Sequence, residues 1–525
     1  MVTPRGEPES LRDFRDRLRD LGDAPAAPLG RAPGLPPKPK PFNPYRMLAG
    51  TFAILILAGT FLLSTPWAQA DGLWAWASPG APFAWGRFWR ALLDNFFMAT
   101  SASCVTGLAV VDVPGTYSPI GQAVLLGCIQ LGGISLVTLG TMIVAILLGR
   151  VPFGGERQLM LSFGRDPSGR AESLLSQTFR YVFGFELAGT FLLFLRYHWH
   201  HGYDLGQSLW FALFHAVSAF CNAGISLHSQ NLLALRGDVP YMLVISLLVA
   251  AGGIGFLVLS NVFRYRFWRR DLRVRGRISL HSRLVLWMSL ILTFGGGLVF
   301  IVLEWDGALD LAHGPGVLDC LARGDWAAIP DALREGLDKI AAGLAQTVFF
   351  RTAGFNSIPM GEVSSPANVL SVLLMLVGGA PGSMAGGIKT TTLLVVLLTI
   401  RAYLHGNPWV QIHRRTIPDS ICREAMVIVF YYLAMVFLFY FILLFTERAL
   451  IAARGEFALF YEVASAVGTV GVTLDATPLL TPAGRLLIAL AMFIGRIGPI
   501  SLALMMASQD VKRHIRYPEE PITVG

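Results

Sequence analysis

Long apolar runs, separated by short breaks rich in glycine, set the pattern of this chain. Runs long enough to cross hydrocarbon, roughly 20 residues each, can be drawn over 47–66, 121–149, 180–199, 241–263, 283–303, 366–400, 424–446 and 483–507, which predicts eight transmembrane helices. Between the members of each consecutive pair lies a shorter apolar segment, at 88–103, 207–220, 340–350 and 457–467. These segments are too short to cross and end at a glycine, so they predict four re-entrant half-helices. Each glycine closes a triplet: Val105, Thr106 and Gly107; Asn222, Ala223 and Gly224; Thr352, Ala353 and Gly354; Thr469, Val470 and Gly471. A Ser-Ala pair begins six residues before the glycine at Ser101, Ser218 and Ser465, and the third copy lacks it. Behind each triplet comes a second marker: Gly132 and Gly133, Gly252 and Gly253, Gly378 and Gly379, Gly495 and Arg496. Markers in register over four segments predict a fourfold internal repeat of helix, half-helix and helix in an all-α membrane protein.

Composition agrees with a bilayer as the solvent. The chain is 54% hydrophobic and 14% charged, against about a quarter charged in soluble domains. Lys and Arg next to spans are retained on the cytoplasmic side, so the loop with Arg264, Arg266, Arg269, Arg270, Arg273, Arg275, Arg277 and Arg283 is expected inside. The acidic stretch 304–339, with Glu304, Asp306, Asp310, Asp319, Asp325, Asp331, Glu335 and Asp338, is expected outside with the four triplets. The formal charge of +8 comes from basic residues clustered at span ends. Anionic lipid and the insertion rule account for that placement, so nucleic acid is not an expected partner. The mixed-charge opening, with no apolar h-region behind a basic start, is not expected to act as a secretory signal. Residues 1–46 are expected to be a cytosolic tail in which Leu11, Phe14, Leu18 and Leu21 share a helix face ahead of a proline-rich linker. The five cysteines are scattered and imply no disulfide framework.

Four converging half-helices have a physical use. A cation crossing hydrocarbon must exchange its water for oxygen ligands, and rings of backbone carbonyls supply them. Such a backbone needs unusual dihedrals and close approach, which glycine tolerates. The plainer alternative, small residues packing helices together, explains one motif better than four in register. The segments SASCVTGLAVVD, SAFCNAGISL, FFRTAGFNSI and SAVGTVGVTL, with GGAPGSMAGGIKTTT and MFIGRIGPISL, closely resemble the membrane subunit of the Ktr/Trk/HKT superfamily of potassium uptake systems, over roughly 47–507. The chain looks most like the Ktr branch, because no pair of extra spans precedes the first repeat. The resemblance implies a K+-binding filter at the four triplets, and the glycine at all four positions implies potassium preference. It also implies a homodimer and a separate cytosolic nucleotide-binding ring as regulatory partner.

The run 366–400 is too long for one straight crossing, and Gly378, Gly379, Pro381, Gly382, Ser383, Gly386 and Gly387 lie in its middle. Proline and glycines break a helix there, and the freed backbone groups are expected inside the protein below the filter. The resemblance implies that this loop obstructs the pore. Its glycines and Lys389 imitate a nucleotide P-loop, but an extra residue separates Gly387 from Lys389 and no soluble strand precedes it, so that reading is rejected. Arg496 stands where other repeats carry glycine. An arginine near midspan costs about 2.5 to 3.5 kcal/mol on insertion scales, so it is expected to face the interior or water. It either ties spans together by bonding carbonyls of the broken helix or sets a positive barrier below the filter, and the two roles can coexist. Asp112 and Asp475 either concentrate cations at the outer mouth or are ordinary loop acids. His198, His200 and His201 end the third span without matched cysteine or carboxylate spacing, so no transition-metal site is expected. No nucleophile and base constellation supports an enzyme.

The resulting organisation is a tail at 1–46, repeats at 47–150, 151–263, 264–400 and 401–507, and a cytosolic tail at 508–525. The broken helix at 378–387 and the acidic insertion belong to the third repeat. The expected function is channel-like K+ uptake across the cell membrane, gated by the intramembrane loop and Arg496. The alternative is a sodium- or proton-coupled symporter working by alternating access, in which Na+ is a coupling or activating ion; a membrane scaffold or receptor explains the spans but not four synchronised triplets. Parallel repeats favour the first. No cofactor is expected in the chain itself. Membrane lipids and, through the basic loops at 264–283 and 401–423, the ring subunit are the expected partners.

Overall fold

Each half-helix packs against both long helices of its own repeat, and this unit occurs four times. The computed structural model describes residues 44–70, 85–134, 171–264, 278–310 and 329–498, which belong to one compact unit, Asn43–Gly525. The leading helices are Pro44–Leu63, Ala171–Leu195, the interrupted Leu280–Leu290 and Gly296–Glu304, and Asp419–Thr446. The half-helices are Trp85–Ser103, Leu205–Cys221, Ile329–Phe350 and Glu456–Gly468. The trailing helices begin with Pro119–Gly133, Val239–Ile254, Ser365–Leu376 and Pro482–Ile497. The trailing helix of every repeat also packs on the half-helix of the next, and the fourth returns to the first half-helix, which closes a ring.

Local chemistry explains why the trailing helices start where they do. Ser118, Asp238, Ser364 and Thr481 stand at their N-caps, and a proline occupies the first or second helical position in each. In the first, second and fourth, the side-chain oxygen of Ser118, Asp238 or Thr481 accepts from an orphan N–H, whereas Ser364 makes no such bond; proline at the helix start loses no bond. The end of each leading helix is then tied to the start of its trailing helix. Ser118 Oγ donates to Trp67 O. Arg196 donates to Asp238, Glu304 accepts from the N–H and hydroxyl of Ser364, and Glu447 accepts from those of Thr481. These ties hold those ends together in all four repeats with three chemistries, the third and fourth repeats sharing a glutamate that accepts from a backbone N–H and a hydroxyl.

Polarity runs outward from a buried centre. The C-terminal halves of the half-helices are buried, while the leading helices expose Phe61, Leu187, Val302 and Phe441. Large apolar side chains on the outside and polar ones inside are the arrangement of a chain solvated by lipid. Among the described residues, Thr178–His200, Leu280–Glu304 and Asp419–Thr446 are long and apolar enough to cross a membrane. The trailing helices are shorter for identifiable reasons. The predicted span 241–263 breaks at Gly255, whose φ of 86° ends one helix before Phe256–Arg264 begins another. The run 366–400 stops at Leu376 and resumes as Thr390–Leu404. The third half-helix begins at Ile329 rather than 340, because its first turns carry charge that an apolar scan passes over. The span 283–303 contains a π-turn at Ile291–Gly295. The far ends of the runs 121–149 and 483–507, residues 1–43 of the N-terminal tail, the C-terminal tail and Cys320 lie outside the described residues, and 44–46 of the expected tail belong to the first leading helix.

Candidate ion-conduction site

Four loops meet where the half-helices end. The first residue of each triplet adopts a left-handed conformation: Val105, Asn222, Thr352 and Thr469 have φ between 49° and 64°. Asparagine tolerates this conformation, whereas β-branched residues there are strained outliers. Each triplet glycine also has positive φ, from 67° at Gly224 to 101° at Gly107. The loops approach so closely that a Cβ would not fit. On Gly107 it would lie 2.5 Å from Ala223 O, on Gly224 2.5 Å from Ala353 O, and on Gly354 2.7 Å from Val470 O and 3.1 Å from Thr106 O. On Gly471 it would collide with Thr106 O. The carbonyls of the four middle residues therefore converge, each against a glycine of a neighbouring loop. Among the described residues, the buried hydroxyls of Thr106, Thr352 and Thr469 have no hydrogen-bond partner in the protein. The Asn222 amide faces back toward Val249 O and Ala219 O, and with its nitrogen assigned to that side it donates to both at 3.1 Å.

Buried side chains hold these loops from behind. Ser101 Oγ accepts from Gly107 N and Ser465 Oγ from Gly471 N, both at 3.0 Å. Ser218 Oγ donates instead to Ile225 O at 2.7 Å. The third repeat, without this serine, uses Gln346, whose Oε1 accepts from Ser357 N at 2.8 Å and Ser357 Oγ at 3.0 Å. A second brace stands nine residues before the glycine in the second and fourth repeats: His215 Nε2 lies 3.0 Å from Ser226 Oγ, and Glu462 accepts from Thr473. Sequence reading missed His215, Glu462 and Gln346, because their residue types differ and only the shared register of His215 and Glu462, nine residues before the glycine, could have signalled them. It also passed over Arg351, whose Nη1 donates to Ser289 O at 3.3 Å and Thr293 Oγ1 at 3.2 Å beside the π-turn.

Below the loops, the second glycine marker permits close packing. A Cβ on Gly132, Gly252 or Gly495 would run into the backbone of Ser103, Phe220 or Val467, at the end of its own half-helix. The broken helix fills the space beneath. Gly378 N donates to Ile388 O at 2.9 Å and Thr390 N to Gly379 O at 3.1 Å. Ala380 N and Met384 N donate to Gly253 O and Gly252 O at 2.9 and 3.1 Å. Groups freed by the break are thus bonded to the second repeat's trailing helix, as buried backbone requires. Gly382 and Gly387 take positive φ, Pro381 O and Gly382 O pack under Gly255, and Gly386 lies against Thr469 and Gly468. Ser383 N donates to Ala380 O at 3.1 Å. Lys389 Nζ donates to Ala385 O at 2.7 Å. Arg496 spans two elements, with Nη1 to Met384 O at 2.6 Å and Nη2 to Gly132 O at 2.7 Å. Both cations remain partly exposed.

The weaker candidates have local partners. Asp112 caps a short helix through Gly115 N at 3.2 Å and accepts from Ser229 Oγ at 3.0 Å, while Asp475 is exposed. His198 bonds Tyr203 O at 3.1 Å. His200 and His201 meet Asp238, a carboxylate that sequence spacing did not reveal. Its oxygens already accept from Arg196, from His201 and from Tyr241 N, which makes it a poor metal ligand.

Comparison with known proteins points one way. A family described as TrkH, cation transport protein, matches residues 87–514. The chain is 35% identical over 485 residues to the Ktr system potassium uptake protein B of Bacillus subtilis, covering 92% of this chain and 97% of that protein. It is 30% identical over 488 residues to the potassium/sodium uptake protein NtpJ of Enterococcus hirae, covering 93% and 98%. Among solved structures, the potassium transporter TrkH from Vibrio parahaemolyticus shares the fold, with a TM-score of 0.59 and 16% identity over 88% of this chain and 84% of that one.

Proposed function

Because the chain belongs to the TrkH family of cation transport proteins, which are membrane-embedded ion transporters and not enzymes, we propose that it takes up K+ through a channel-like path along the axis of the four loops. The observation that carries this reading is the convergence of the Thr106, Ala223, Ala353 and Val470 carbonyls against neighbouring glycines. Such a ring replaces part of a cation's hydration shell. The buried, unpartnered hydroxyls of Thr106, Thr352 and Thr469 add oxygen near these loops. The loop from Gly378 to Gly387 is the gate, and Arg496 holds it closed by bonding Met384 O while placing a positive charge below the filter. The name of the E. hirae relative, a potassium/sodium uptake protein, keeps Na+ in view as a second permeant or coupling ion. Repeats that all run in the same direction favour a fixed axial path over alternating access, which inverted repeats commonly serve.

By the same reading the protein is a homodimer in the cell membrane with both termini cytoplasmic. Its basic loops receive a nucleotide-binding ring. The reading is tested with purified protein in liposomes under a K+ gradient. Saturable K+ influx that exceeds Na+ influx is expected, together with growth of a K+-uptake-deficient host on low potassium. Failure of both would leave a scaffold or receptor and remove the transport reading.

A further inference from the structure

Behind the second loop lies a buried acid that the conduction path does not use. Glu186, on the second leading helix, is 4% exposed. Its Oε2 accepts from Gln130 Nε2 at 3.1 Å, and its Oε1 lies 3.8 Å from the Cys221 thiol. Cys221 Sγ is also 3.6 Å from Gln130 Oε1. Three elements meet in this cluster: the second leading helix, the first trailing helix, and the last residue of the half-helix that Asn222 follows. The contact has no slack, since a Cβ on Gly133 would lie 2.6 Å from Cys221 Sγ.

The same turn of the first trailing helix reaches the gate, because Gly132 O accepts from Arg496 Nη2 at 2.7 Å. Residues 130–133 are therefore held on one side by the gate arginine and on the other by the root of the second loop. A buried carboxyl costs desolvation that an apolar residue of similar volume avoids. Its use here supplies two acceptor oxygens, which join an amide on one helix to a thiol on another.

We propose that Glu186 is a positioning residue for K+ over Na+ discrimination, coupling the second loop to Arg496 through Gln130, Cys221 and the Gly132–Gly133 turn. The proposal rests on the conduction path proposed above. It is tested with the full chain in liposomes by measuring K+ and Na+ fluxes for Glu186→Ala, Glu186→Gln, Arg496→Ala and the double variant, with Gly107→Ser alongside. Glu186→Ala is expected to lower the K+/Na+ flux ratio at least about threefold, the scale of coupling within one hydrogen-bonded network. Glu186→Gln, which keeps an acceptor for Gln130, is expected to restore most of it. The Glu186→Ala and Arg496→Ala effects should combine non-additively.

A purely structural role would lower both fluxes in proportion to folded protein and leave the ratio alone. An unchanged ratio in Glu186→Ala with a shifted one in Gly107→Ser overturns the proposal and spares the conduction path. Additive effects with Arg496→Ala overturn the coupling. Unchanged ratios in both Glu186→Ala and Gly107→Ser bring down the path itself. Should Glu186→Ala fail to fold, Cys221→Ala is expected to shift the ratio in the same direction, and a wild-type ratio there overturns the proposal equally.

Discussion

At Gly107 two constraints act on one residue. Its φ of 101° strains any side chain, and a Cβ would lie 2.5 Å from Ala223 O. Gly107→Ser is therefore expected to displace the neighbouring carbonyl and weaken K+ over Na+ discrimination about tenfold, equivalent to about 1.4 kcal/mol. Competition of Na+ with K+ influx in liposomes measures it, and intact discrimination would remove the first loop from the filter. Arg496→Ala loses both the tie to Met384 O and the local charge. Removing about 1.4 kcal/mol of barrier would raise flux about tenfold, so faster uptake with weakened regulation is expected, and unchanged transport counts against a barrier. These glycines and the arginine were legible in the chain because a motif repeated in register exposes any position where one copy differs. Glu186, His215 and Glu462 were not, since each occurs once and its meaning depends on which distant side chain it meets. The serines at 101 and 465 fall between: their spacing marked the repeat, but only geometry gives them the glycine N–H as partner.

At the scale of elements, hydrophobic runs located helices but not their ends. The third half-helix extends through charged turns because a helix in water needs no apolar run, and Gly255 breaks a span whose composition stays apolar throughout. The N-cap and proline signals of the trailing helices were present in the chain yet become visible as a set only when the four starts are aligned. The loop following Gly224 shows how an element's stability follows from a buried group. His228 Nε2 lies 2.9 Å from Tyr197 OH, with His215, His201 and Tyr241 in the same cluster. Burial, and then the nearby His201, lower its imidazole from the ordinary 6.5 to about 4. The opened loop takes up a proton across that window and the closed loop does not, so stability is full above about 6.5 and falls as pH drops toward about 4. Amide protection over 225–238, taken relative to the intrinsic exchange rate that itself slows in acid, should therefore fall on acidification through this range. His228→Gln should flatten the dependence; an equally steep profile in that variant would assign it to another group.

For the whole molecule, the decisive property is the way the ring closes. Each trailing helix packs on the next half-helix and the fourth returns to the first, so a shift of any trailing helix is felt by two loops. The broken third helix interrupts this symmetry and puts its loop under the axis, bonded to the second repeat through Gly252 and Gly253. On the proposed reading this discontinuous element, held by polar contacts instead of a continuous helix, moves while the four loops stay in place. A path with a fixed axial site and a movable obstruction passes ions down their own electrochemical gradient. A symporter must instead tie K+ movement to a second ion in fixed proportion. With K+ gradients clamped in liposomes, the reversal potential is expected to follow K+ alone and to stay fixed when an opposing Na+ or proton gradient is imposed. A shift set by the second ion's gradient at low permeability to that ion would establish coupling, and would replace the channel-like mechanism while leaving the four-loop site in place.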